Sequence, residues 1–104
     1  MKQFKCTLIT PLGVVYDGTA VLVVAPGAEG QFGVLAGHEH MVAVLKKGVL
    51  KIKTAVAENF FSLDSGVLEV DGDHNVVALA DKVIKAAGEE DAKAKIAELA
   101  VKAA

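Results

Sequence analysis

The chain has 104 residues, thirteen of them acidic and eleven of them lysine; it has no arginine, one cysteine and a formal net charge of −2. A single cysteine excludes an internal disulfide, while dispersed lysines without arginine argue against a polyphosphate track or a phosphoryl-transfer clamp. One domain is expected at this length, and a hydrophobic content of 53% with mean hydropathy of +0.45 points to surface that a neighbour covers.

Residues 4–9 alternate, with Phe4, Cys6 and Leu8 on one face and Lys5, Thr7 and Ile9 on the other, which predicts a half-buried strand. Pro11, Leu12 and Gly13 read as a turn. Val14, Val15 and Tyr16 open a second strand that Asp17-Gly18, a hairpin signal, is expected to end. Thr19 to Ala25 is β-branched and apolar on both faces. The glycine-rich run Pro26 to Gly33 reads as loop, with a short strand near Phe32 to Leu35. Gly37 and Gly48 bracket Met41 to Leu45. Next, Leu50, Ile52 and Val56 share a face against Lys51 and Lys53. Phe60 to Leu63, Val67 to Val70 and Val76 to Ala80 add short strands, separated by Asp64-Ser65-Gly66 and Asp71-Gly72-Asp73.

Strands this short, with turns every eight to twelve residues, predict a mainly β sandwich or barrel. After Asp81 the composition shifts to alanine, lysine and glutamate, so the chain divides into a β domain over 1–81 and a tail over 82–104. Glu89, Glu90 and Asp91 favour a helix N-terminus, and Ala92, Ile96, Leu99, Ala100 and Ala103 form one stripe. The tail is therefore expected to hold one helix over about 89–103, roughly 22 Å long at 1.5 Å per residue. Met1 to Lys5 lacks the apolar core of a secretory signal, and the longest apolar run, Ala20 to Pro26, is too short to span a membrane. Segments 20–25 and 76–80 are apolar on both faces, where a two-layer sandwich normally keeps one face wet. One thin helix cannot cover both, so a partner protein is expected.

Candidate chemistry is sparse. His38 and His40 sit at i and i+2 with His74 as a possible third metal ligand, but the expected reading is loop and surface histidines. Ser62 and Ser65 lack a nucleophile-elbow sequence. Asp71 and Asp73 flank a turn glycine. Gly27, Gly30 and Gly33 lack dinucleotide spacing and are followed by strand-like residues. Cys6 reads as a small buried hydrophobe. No catalytic, metal or cofactor residues are assigned.

In sequence order these segments resemble one family, the epsilon subunit of the rotary F-type ATP synthase (delta in mitochondria). Pro26-Gly27-Ala28-Glu29-Gly30-Gln31-Phe32-Gly33-Val34-Leu35-Ala36-Gly37-His38 is similar to its PGxxGxFGVLPGH signature. Leu8-Ile9-Thr10-Pro11 with Val14-Val15-Tyr16-Asp17-Gly18 resembles its opening, and Leu45 to Leu50, Gly66 to Val70 and Val77 to Asp81 follow its later blocks. The resemblance implies a ten-stranded antiparallel β-sandwich followed by C-terminal helices. It also implies a non-catalytic role in the central stalk, between the shaft (gamma) subunit and the membrane ring of c subunits. The place implied is peripheral, on the cytoplasmic face of a bacterial membrane. Carried over by position, Glu29, Gln31 and His38 form a ring-contact loop, and Thr10 and Val42 approach the shaft.

The chain departs from the family pattern at Ala36, at His40-Met41 and at Asp64-Ser65. Its tail has room for one good helix, where family members often carry an inhibitory pair. Glu89 to Ala94 lacks the apolar residue and arginine of the family's ATP-binding segment, so neither ATP binding nor strong helix-extension inhibition is expected. Two rival readings are a free-standing β-sandwich binding module and a metal-dependent hydrolase centred on His38 and His40.

Overall fold

The computed structural model describes residues 2–101, with side chains through residue 99. Ten strands follow in order: β1 (Phe4–Thr10), β2 (Gly13–Ala20), β3 (Leu22–Gly27), β4 (Gly30–Leu35), β5 (Met41–Leu45), β6 (Gly48–Lys53), β7 (Glu58–Leu63), β8 (Gly66–Val70), β9 (Val76–Ala80) and β10 (Val83–Ala86). One helix, α1 (Glu89–Val101), completes the described chain. The strands form two layers, β4-β3-β6-β7-β10 and β5-β8-β9-β1-β2, joined where Gly27 of β3 pairs with Leu45 of β5. All pairings are antiparallel except β1 with β9, a parallel exception to the expected antiparallel sandwich.

Period-two alternation builds the core. Phe4, Cys6 and Leu8 of β1, Leu50 and Ile52 of β6, Phe61 and Leu63 of β7, and Leu68 and Val70 of β8 all point between the layers and are buried. Each fully buried large side chain contributes about 1.5–3 kcal/mol. Phe61, the largest, meets Tyr16 of the opposite layer edge-on, with centroids 6.2 Å apart at 72°. The layers therefore share one core.

Each odd-to-even connection, from β1–β2 to β9–β10, is two residues long: Pro11-Leu12, Ala28-Glu29, Lys46-Lys47, Asp64-Ser65 and Asp81-Lys82. All five gather at one end of the sandwich, here the near pole. Backbone bonds tie them together: Ala28 N–H to Val44 O, Lys46 N–H to Pro26 O, Asp64 N–H to Lys82 O and Asp81 N–H to Ser65 O. The other connections, among them 36–40 and 71–75, form the far pole.

Asp17-Gly18 does not end β2. Gly13, at φ +131°, has already completed the turn, and the strand runs on to Ala20. The bare Gly18 instead makes room for Tyr16, whose hydroxyl donates to Thr19 O at 2.9 Å. The glycine-rich run is also more ordered than expected. β3 and β4 form a tight hairpin in which a Cβ on Gly27 would lie 2.6 Å from Gly30 O and 2.9 Å from the Phe32 ring. Pro26, which has no N–H, sits where β3 changes partner from β6 to β5. Val56 leaves the Leu50/Ile52 face and stands exposed in the β6–β7 turn, because the strand ends at Lys53. The sheet also continues past Asp81, as β10 pairs with β7 from Val83↔Leu63 to Ala86↔Phe60.

α1 lies on the outer face of β6, β7 and β10. Its buried contacts are small, with Ala92 and Leu99 on the sheet and the Ser62 hydroxyl donating to Ala92 O beneath it. The Asp91 carboxylate accepts from Ala87 N–H at 2.8 Å and from Lys95 Nζ at 2.9 Å, which fixes the first turn. Of the expected helix 89–103, positions 102 and 103 lie outside the described residues, as do the side chains of Ala100 and Ala103.

Candidate docking face

The two outer faces are dressed differently. On the layer that carries α1, the outward residues Leu22 and Val24 of β3 are half-buried, and Val24 lines a groove with Phe60 and with Ile96 of the helix. On the other layer no element of the described chain lies over β5, β8 and β9, and the outward positions of these strands are apolar except for Glu69.

Strand register aligns them. Val44 pairs with Val67, Val67 with Leu79, Leu79 with Ile9, and Ile9 with Val14, so one apolar row crosses β5, β8, β9, β1 and β2. Four neighbour spacings of 4.7–4.9 Å make the row roughly 19 Å long. Exposure is 62% for Val44, 38% for Val67, 52% for Leu79 and 61% for Val14, with Ile9 half-buried. Exposed single hydrophobes are ordinary, but a continuous row across five strands is a candidate interaction face.

The shaft-contact candidates both border this row. Val42 is exposed one outward position along β5 from Val44. Thr10 sits at the near-pole rim with Ile9 and Leu79, its hydroxyl accepting from Leu12 N–H at 3.1 Å. Glu29 also reaches the edge of the face, sharing a groove with Phe32, Val42 and Val44. Gln31 follows on β4, opposite Pro26.

His38 does not join Glu29 and Gln31 in one loop. Extended β4, which carries Gln31 near its start, runs roughly 17 Å and takes His38 to the far pole. There His74 Nδ1 lies 2.9 Å from His38 O, His38 Nδ1 lies 2.8 Å from Glu39 O, and His40 Nε2 lies 3.4 Å from Glu69 Oε2. The rings point to different partners, and among the described residues no three His, Cys, Asp or Glu side chains gather as a metal site. Ser62 is sealed beneath α1, and Ser65 is held in a turn that binds Asp81 N–H. Asp71 Oδ1 accepts from the N–H groups of Asp73 and Asn75, so it shapes the β8–β9 turn. Burial pushes the Cys6 thiol up to about 12, far from a reactive thiolate.

The sequence reading named Val42 but missed Val44, Val67, Leu79, Ile9 and Val14 as a unit. Their apolar outward positions were visible; their alignment depends on register, including the parallel β1/β9 pairing, which no local signal encodes.

Residues 3–86 match the family model described as "ATP synthase, Delta/Epsilon chain, beta-sandwich domain". The ATP synthase epsilon chain of Helicobacter acinonychis (strain Sheeba) is 40% identical over 91 residues, which is 88% of this chain and 73% of that protein. The epsilon chain of Campylobacter lari is 40% identical over 87 residues, covering 83% of this chain and 66% of the relative. Among solved structures, one chain of the Euglena gracilis mitochondrial ATP synthase (OSCP/F1/c-ring in rotational state 1) superposes with a TM-score of 0.77 at 22% identity, covering 96% of this chain and 64% of its own length. A chain of the Tetrahymena thermophila central stalk/c-ring gives 0.69 at 19% identity, covering 80% of this chain and 66% of that one. The two superpositions establish a shared fold; the sequence matches go further. The chain thus spans about two thirds to three quarters of its relatives' length, and it belongs to the delta/epsilon family of ATP synthase subunits.

Proposed function

We propose that the chain is a non-catalytic central-stalk subunit of a rotary ATP synthase, holding the shaft (gamma) subunit against the membrane ring. The observation that carries the reading is the apolar row Val44-Val67-Leu79-Ile9-Val14, built on the one layer that α1 leaves open. A rigid face of this kind suits torque transmission, because a shared close-packed core resists shear between the layers. The shaft covers the row and meets Thr10 and Val42 at its margins. The ring meets the near pole at Glu29 and Gln31, the same end that carries the fully exposed Leu12 of the β1–β2 turn. His38, at the other end of β4, falls outside that ring contact.

No described helix is long and apolar enough to cross a membrane. In this role the chain attaches through the ring, on the cytoplasmic side in a bacterium. ATP sensing is not part of the role. Lys93, which stands where the family's ATP-binding segment has arginine, is shared between Glu89 at 3.6 Å and Glu90 at 4.0 Å.

Co-purification tests the reading. The wild-type chain should retain the shaft subunit through gel filtration, while a Glu29→Lys/Gln31→Lys pair should keep the shaft and lose the ring. Retention of neither subunit by the wild-type chain would favour a free-standing binding module.

A further inference from the structure

We infer that Glu69 fixes the orientation of the partner on the open layer, and that this partner carries a lysine or arginine beside its apolar stripe. The inference rests on the docking reading above and adds the partner's chemistry. Five apolar side chains in line attract without direction, so a partner could slide along them or reverse. The next row, roughly 6.7 Å nearer the far pole, lies two residues along β5, β8, β9 and β1 and three along β2, where the pairing shifts register between Leu8 and Ile9; it reads Val42, Glu69, Val77, Thr7 and Asp17. It has no such symmetry. Glu69 stands on the second of the five strands with a valine on either side. Asp17 stands on the fifth, 3.5 Å from the Thr7 hydroxyl.

Within ion-pair distance Glu69 has His40, at 3.4 Å, which supplies a full positive charge only when protonated; both side chains are about half exposed. The lysine of this face, Lys5, lies one row further on, where its N–H donates to Asn75 Oδ1. A wholly apolar partner laid over the face would strip water from Glu69 without giving it a full counter-charge, which strongly disfavours docking. A partner with a cation one row off its apolar stripe docks in a single register and is attracted from a distance. The charge selects; the apolar row holds.

The test titrates purified shaft subunit against the parent chain and against Glu69→Gln, Glu69→Lys and Leu79→Asp variants at two salt concentrations. Glu69→Gln should weaken binding about tenfold and flatten its salt dependence, and Glu69→Lys should weaken it roughly a hundredfold or more. Melting temperatures should match the parent, since Glu69 holds no core contact. If Leu79→Asp abolishes binding while Glu69→Lys binds like the parent, the face docks without a charge key and the inference is overturned. If Leu79→Asp also binds like the parent, the docking face itself is wrong, and the inference goes with it.

Discussion

The two layers of this sandwich are written in the same alternating pattern, yet they meet the outside differently. β6, β7 and β10 turn their outer side chains under α1, where Ala92, Ile96 and Leu99 close over them and even a buried hydroxyl, Ser62, finds its acceptor. β5, β8 and β9 turn Val44, Val67 and Leu79 toward solvent with no element of the described chain over them, and Val14 of β2 extends the exposed row. One layer has its cover in the same chain; the other, on the function proposed above, receives its cover from the shaft. The contrast teaches that excess hydrophobicity in a small domain has to be located before it is read as function.

The strongest way to break the comparison is to remove what the layers share. Phe61→Ala empties the centre of the core beside Tyr16 and should cost about 3–5 kcal/mol, read as a single cooperative loss in denaturant melts. Two separate transitions would mean that the layers are not one unit. The next effect sharpens the contrast. A Val44→Asp/Leu79→Asp pair should leave thermal stability nearly unchanged, because both side chains are already largely wet, yet lower affinity for the shaft subunit at least roughly 100-fold. Isothermal titration beside a thermal melt separates the two outcomes. On the covered layer the pattern reverses. Ser62→Ala removes one buried hydrogen bond under α1 and should cost about 1 kcal/mol in denaturant melts, with shaft affinity unchanged.

The smallest effect concerns pH. The Ala87 N–H, and then the Lys95 ammonium, hold the Asp91 carboxyl below the usual carboxylate range. A depressed folded value means that this stabilisation is fully present above the ordinary carboxylate range and is lost as pH falls through the folded value. The protection of the Ala87 amide, its exchange rate taken relative to the intrinsic rate at each pH, should therefore hold at neutral pH and fall only in acid, and Asp91→Asn should blunt that dependence. Docking on the open layer should not follow it.

Much of this architecture could be read locally. Phe4/Cys6/Leu8 and Leu50/Ile52 alternate cleanly, because each inward position needed an apolar residue and each outward one did not. Asp17-Gly18 misled because a turn dipeptide is also a bare stretch of strand over which an aromatic ring can lie, as Tyr16 does. β10 was missed because Val83–Ala86 is a four-residue strand with Lys82 before it and Lys85 within it, and its existence depends on the free edge of β7. The candidate site was half legible for the same reason. Thr10, Glu29, Gln31 and Val42 came from a motif carried over by position, whereas the row that unites the face exists only once five strands distant in sequence have found their register.

Thiol labelling gives the most direct test. Cysteines placed at Val44 on the open layer and at Lys93 on α1 can be challenged with a maleimide before and after the shaft subunit is added. Native Cys6, buried with its thiol pushed up to about 12, should stay silent throughout. The account predicts that the shaft subunit protects position 44 and leaves position 93 as reactive as before. Protection at 93 with free reaction at 44 would contradict it.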